Sequence, residues 1–108
     1  KPAIETLRDV SPTHYVGWHL GVPDQYRADV IIDELNHFEA SGQFPQLTLI
    51  CLPNDHGSGT NPGFPTPAAS VADNDLAFGR IIEALSTSSF WKEMVIFGIE
   101  DDPQAGWD

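Results

Sequence analysis

Two short apolar runs constrain this chain more than anything else in it. Leu47 to Leu52 is interrupted only by Thr48, and Met94 to Ile99 carries no polar side chain. Neither alternates apolar with polar residues. Such runs fit strands covered on both faces, as in a parallel sheet. Each also ends in polar chemistry. The first leads through Pro53-Asn54 to Asp55-His56, and the second leads directly into Glu100-Asp101-Asp102.

The segments around these runs read as helices. Asp24, preceded by Pro23, is a good N-cap. Ala28, Ile31, Ile32, Leu35 and Phe38 then form a helical stripe, with Arg27, Asp29, Asp33, Glu34 and Asn36 on the polar side and Gly42 as the stop. A second helix is expected from about Pro67 or Ala69 to Ser86, with Val71, Asp75, Phe78, Ile82 and Leu85 on one face. Asp75 is the polar exception there and a weaker candidate for a supporting role at the site. The order helix, strand, helix, strand predicts a right-handed βαβ unit and an α/β fold. Residues 1–23 read as an irregular lead-in, with a short helix at Ile4–Arg8 and with His14 and His19 as surface or structural histidines. His37 is expected to face solvent. Residues 24–108 form the helix-strand-loop-helix-strand body of a single piece of a domain. The loop from Asn54 to Ala68 is rich in Gly and Pro, and a loop that long is usually functional or disordered.

Composition narrows the function. There are 16 acids against 5 bases, for a net charge of −11. With no basic patch, nucleic acid and anionic membrane surfaces are excluded as partners. No stretch is apolar enough for membrane insertion. Cys51 is alone, so no intrachain disulfide is possible, and its apolar neighbours predict a buried, inert thiol. Ser58 and Thr60 offer hydroxyls, but Gly-flanked Ser in a loop is normally a turn residue.

In a right-handed βαβ unit the two strands point the same way, so Asp55-His56 and Asp101-Asp102 are expected at one edge. Two bare charges about 4 Å apart repel by about 4 kcal/mol at an effective dielectric near 20, and a divalent cation turns that cost into affinity. The predicted metal ligands are therefore Asp55, His56, Asp101 and Asp102. The cation is zinc, manganese, calcium or magnesium, because one imidazole among carboxylates does not choose. The plainer alternative is that these acids are solvated turn residues, which Asp and Asn often are after strands.

The longer motifs point to a family. These are Leu52-Pro53-Asn54-Asp55-His56-Gly57-Ser58-Gly59-Thr60, Pro62-Gly63-Phe64-Pro65-Thr66-Pro67, Val71-Ala72-Asp73-Asn74-Asp75-Leu76-Ala77, Ile81-Ile82-Glu83-Ala84-Leu85, Trp91-Lys92 and Ile99-Glu100-Asp101-Asp102. Together they resemble a bacterial phosphoesterase family of the alkaline phosphatase superfamily, similar also to bacterial phospholipase C and acid phosphatase relatives, over roughly residues 23–108. The resemblance implies a three-layer α/β/α sandwich with a mostly parallel sheet, and metal-assisted hydrolysis of a phosphate-ester substrate. It places Asp55 and His56 at one metal centre and Asp101 and Asp102 at another or a shared one. It puts the nucleophile upstream of Lys1, so no catalytic nucleophile is expected in this piece, which alone should be inactive. Two departures stand out: Asp55 and His56 are adjacent rather than four apart, and Asp101-Asp102-Pro103 lacks an imidazole. Self-association through exposed sheet edges is the further expectation for such a piece. The alternative function is a non-catalytic metal-binding or protein-interaction α/β module.

Overall fold

The computed structural model describes residue 2 and residues 4–101. Its framework is two helices, α1 (Asp24–Ser41) and α2 (Pro67–Ser86), with short 3-10 turns at Glu5–Val10, Asn54–His56 and Trp91–Glu93. Both long helices form where the apolar periodicity places them. α1 stops at Gly42, whose φ of 69° is the left-handed conformation that glycine adopts without a Cβ penalty, and its N–H returns to the Glu39 carbonyl. α2 starts at Pro67, with the Thr66 side chain accepting from the Ala69 N–H.

The core is small. Ala28, Leu35, Ala77, Ile81 and Leu85 meet where α1 crosses α2, and Ile31, Phe44, Leu52, Ala84, Phe90 and Met94 pack around them. At one end Phe44 bridges Phe38 and Phe90, with ring centroids 5.3 and 5.2 Å apart. There Glu39 accepts from the Ser89 N–H at 2.6 Å and from its hydroxyl at 2.9 Å, fastening the chain after α2 onto α1.

The expected α/β sandwich is corrected: among the described residues there is no strand, and the molecule is helical. Residues 47–52 and 94–99 are neither helical nor paired, and among the described residues no backbone–backbone hydrogen bond involves them. Both runs are largely open: Leu47, Leu49, Val95, Phe97 and Ile99 stand out, Ile50 and Ile96 are less exposed, and only Leu52 and Met94 pack inward. An apolar run reports that a segment seeks burial, whereas a strand exists only through a laterally bonded neighbour. Here each run lies against the helices without one.

Four smaller expectations change as well. Asp24 is the first helical residue rather than the cap, and it is fully buried. Arg27, placed on the polar side by the sequence, is also fully buried. The buried face of α2 is Ser70, Ala77, Ile81 and Leu85, while Val71, Asp75 and Phe78 are exposed. Cys51 is exposed rather than buried, because its run is covered on one side only. No helix among the described residues is long and apolar enough to cross a membrane.

Candidate functional site

The turn that carries Asp55 and His56 is held by a polar hub that joins four parts of the chain. At its centre, Arg27 Nη1 meets Asp24 Oδ1 at 2.9 Å, with both side chains completely buried. The same guanidinium donates to the carbonyls of Val16 (2.9 Å), Gly17 (2.7 Å), His19 (3.1 Å) and Val22 (2.6 Å). The lead-in loop is thus wrapped around one cation. A planar group with five donors is suited to this, and a lysine is not.

Asp24 Oδ2 faces the other way. It accepts from the Asn54 N–H at 3.0 Å and from Asn74 Nδ2 at 3.0 Å. Asp73 Oδ2 accepts from the Asp24 N–H at 2.6 Å and from Asn54 Nδ2 at 2.8 Å. Burial pushes the Asp24 carboxyl above its ordinary range, opposed by the Asn54 N–H, the Asn74 amide and Arg27. Asn54 Oδ1 is buried without a hydrogen-bond partner. An unsatisfied buried acceptor of this kind costs about 1–3 kcal/mol.

From this anchor the candidate residues project. Asn74 Nδ2 reaches the Leu52 carbonyl at 2.7 Å and lies 3.4 Å from Asp55 Oδ1, which steers an otherwise exposed carboxylate. The turn closes at Gly57, where φ is 69° and ψ −175°, a backbone conformation reserved for glycine. His56 is exposed. Its ring meets Trp18 edge-on, with centroids 5.2 Å apart and planes at 79°, and its Nδ1 lies 3.2 Å from the Gly57 carbonyl.

Asp101 is exposed at the end of the second run. Partial burial raises the Cys51 thiol above its ordinary value; Arg27 opposes the rise, and Asp24, Asp55 and Asp101 add to it. Tyr15 closes the neighbourhood by donating its hydroxyl to the Cys51 carbonyl at 2.6 Å, and burial holds its phenol up at about 12.

Proximity stops short of a metal centre. Among the described residues no three of His, Cys, Asp and Glu converge on a point that could hold a metal ion. His56 is engaged with Trp18, Asp75 is exposed, and Asp102 lies outside the described residues. Two surface hollows, one beside Glu39 and Ser88 and one beside Phe38 and Pro45, touch none of these acids. The residues present thus supply carboxylates but not a complete donor set. No family model, curated protein or solved structure matches this chain.

Asp24, Arg27, Asn54, Asp73 and Asn74 were not legible as a hub from spacing. One signal was present. Asp73 and Asn74 share a helical face with Ser70, Ala77 and Ile81, at intervals of three and four, so they belong to the inward stripe of α2.

Proposed function

We propose that this chain carries part of a divalent-metal-dependent phosphoesterase site, with Asp55 and Asp101 as its carboxylates. The observation that carries the reading is the anchoring of Asp55: Asn74 Nδ2 lies 3.4 Å from Asp55 Oδ1 while held by Asp24 Oδ2 and the Leu52 carbonyl. The resemblance of the Asn54–Thr60 and Ile99–Asp102 motifs to bacterial phosphoesterases supports it and names the chemistry. Were Asp55 and Asp101 brought together in a chain of net charge −11, they would form an anionic spot, and a divalent cation is the simplest group that relieves it and attracts a phosphate ester. The remaining donors must come from beyond the described residues, and Asp102 is the first candidate. Asn74 has a positioning role, since it orients Asp55 while being tied to Asp24 and the Leu52 carbonyl.

The test is manganese binding to the 108-residue chain, followed by calorimetry or by the paramagnetic signal of the free ion. Weak one-to-one binding that falls at least tenfold in both Asp55→Ala and Asp101→Ala is the expected result. No binding, or binding unchanged by Asp101→Ala, would remove the reading. Phosphatase and phosphodiesterase assays with and without chelator, in a polypeptide that also carries the missing donors, then distinguish ester classes.

A second reading, a protein-interaction module, is favoured by one specific observation: large apolar residues stand open along both runs.

A further inference from the structure

The hub beneath the Asn54 turn holds more oxygen acceptors than its protons can satisfy. Asn74 Nδ2 carries two protons and faces three acceptors: the Leu52 carbonyl at 2.7 Å, Asp24 Oδ2 at 3.0 Å and Asp55 Oδ1 at 3.4 Å. Asn54 is 6% exposed, and its Oδ1 is buried with no donor at all. Turning that amide over would not help. Its Nδ2 donates to Asp73 Oδ2 at 2.8 Å, and the exchange would set a carbonyl oxygen against a carboxylate.

Charge is in excess in the same place and with the same sign. Asp24 and Asp73 both enter the hub, and Asp73 Oδ2 sits 2.6 Å from the Asp24 N–H. Among the described residues, Arg27 is the only basic side chain bonded within it. That guanidinium is turned to Asp24 Oδ1 and to four loop carbonyls, away from Asp73. Two carboxylates against one guanidinium leave one negative charge, and Asp73 adds to the upward push on the Asp24 carboxyl. Buried charges are paired or bound to a metal ion, and a buried acceptor without a donor calls for water or an ion. Water meets the second need only. A cation meets both.

We propose that the hub binds one alkali cation, sodium or potassium, between Asn54 Oδ1 and the Asp73 carboxylate. Both oxygens flank the same amide nitrogen, which keeps them within reach of a single ion. The excess is one charge, so a monovalent ion neutralises it. Divalent and transition ions draw on several carboxylate, imidazole or thiolate donors, and no three of these converge among the described residues. Neutral carbonyl oxygens are the donors that alkali cations accept in place of water. Bound there, the ion ties the Asn54 turn to α2 through Asp73. Its role is structural, and the inference does not rest on the divalent site or on ester chemistry.

Urea denaturation of the 108-residue chain in sodium, potassium and tetramethylammonium chloride at matched ionic strength tests it. Tetramethylammonium screens surface charge equally but is too bulky to enter between the two oxygens. The midpoint should be higher in at least one alkali salt. Above the dissociation constant, each tenfold rise in that cation should lower the unfolding constant about tenfold. Asp73→Asn and Asn54→Ala should abolish the dependence. Asp33→Asn, on the exposed side of α1, should keep it, and so should Asp101→Ala, which separates this ion from the divalent site. If the hub variants do not fold, calorimetric titration of the parent chain with the alkali salt, in a tetramethylammonium background, decides: one-to-one binding is expected. Equal midpoints in all three salts, an alkali dependence that folded hub variants retain, or no binding by calorimetry would overturn the proposal.

Discussion

Arg27→Met isolates what holds the lead-in loop and the Asn54 turn together. Methionine keeps much of the length of the side chain but removes a cation that is fully buried against Asp24 and four backbone carbonyls. What remains is a buried carboxylate without its counter-charge. Breaking a buried pair from one side costs about 3–5 kcal/mol. A domain of this length has roughly 5–15 kcal/mol in all, so the variant should be marginal. With a urea slope of about 1–3 kcal/mol per molar, the midpoint should fall by roughly 2 M. The assay is urea denaturation followed by circular dichroism at 222 nm. The loss should also depend on pH in a particular direction. Burial already raises the Asp24 carboxyl above its ordinary 3.8, and Arg27 is one of the groups that hold it down. Without Arg27 it rises further, so protonation relieves the unpaired charge as pH falls toward that value. Arg27→Met should therefore be less damaging in mild acid than at pH 7. A midpoint shift below about 0.5 M, or a loss that does not shrink in acid, would refute the role given to this pair.

Other expectations are simpler. Ile81→Ala and Leu85→Ala remove side chains from a core of few residues and should each cost about 2–4 kcal/mol by the same assay. Gly42→Ala forces a Cβ into a φ of 69° and should lower stability by about 1 kcal/mol, with α1 otherwise intact. Tyr15 is an acid whose folded value of about 12 lies above the ordinary 10.0, so the folded state keeps a proton that the unfolded state loses. Stability should fall as pH rises from 10 toward 12, and the fall should be shallower in Tyr15→Phe; equal slopes would contradict the burial of the phenol.

The sequence carried the helices well and the tertiary relations poorly, for identifiable reasons. α1 and α2 follow from a 3.6-residue period and from end signals, Gly42 at one helix and Thr66-Pro67 at the other, all of which act locally. The α2 face was misjudged because Val71 and Phe78 are as apolar as the residues actually buried, and hydropathy does not say that Asp73 and Asn74 find partners inward. Arg27 was placed outside for the converse reason: a guanidinium is buried only where carbonyls converge, and these come from a loop without periodicity. The two apolar runs read as strands covered on both faces, yet they stay unpaired and largely exposed, because pairing depends on neighbours that no local pattern encodes. Of the candidate site, the shared edge for Asp55 and Asp101 was derived from two co-directional strands that do not form, and the turning of His56 onto Trp18 had no signal in spacing.

The proposed site requires the acidic tips to share one side, and this is tested most directly at Cys51. This exposed, single thiol can be titrated by the pH dependence of its alkylation rate in the parent chain, Asp55→Asn and Asp101→Asn. Both carboxylates disfavour the thiolate, so its pKa should start above 9.0 and drop in each variant. A thiol that responds to Asp55→Asn and is indifferent to Asp101→Asn would place the second tip elsewhere and contradict the account.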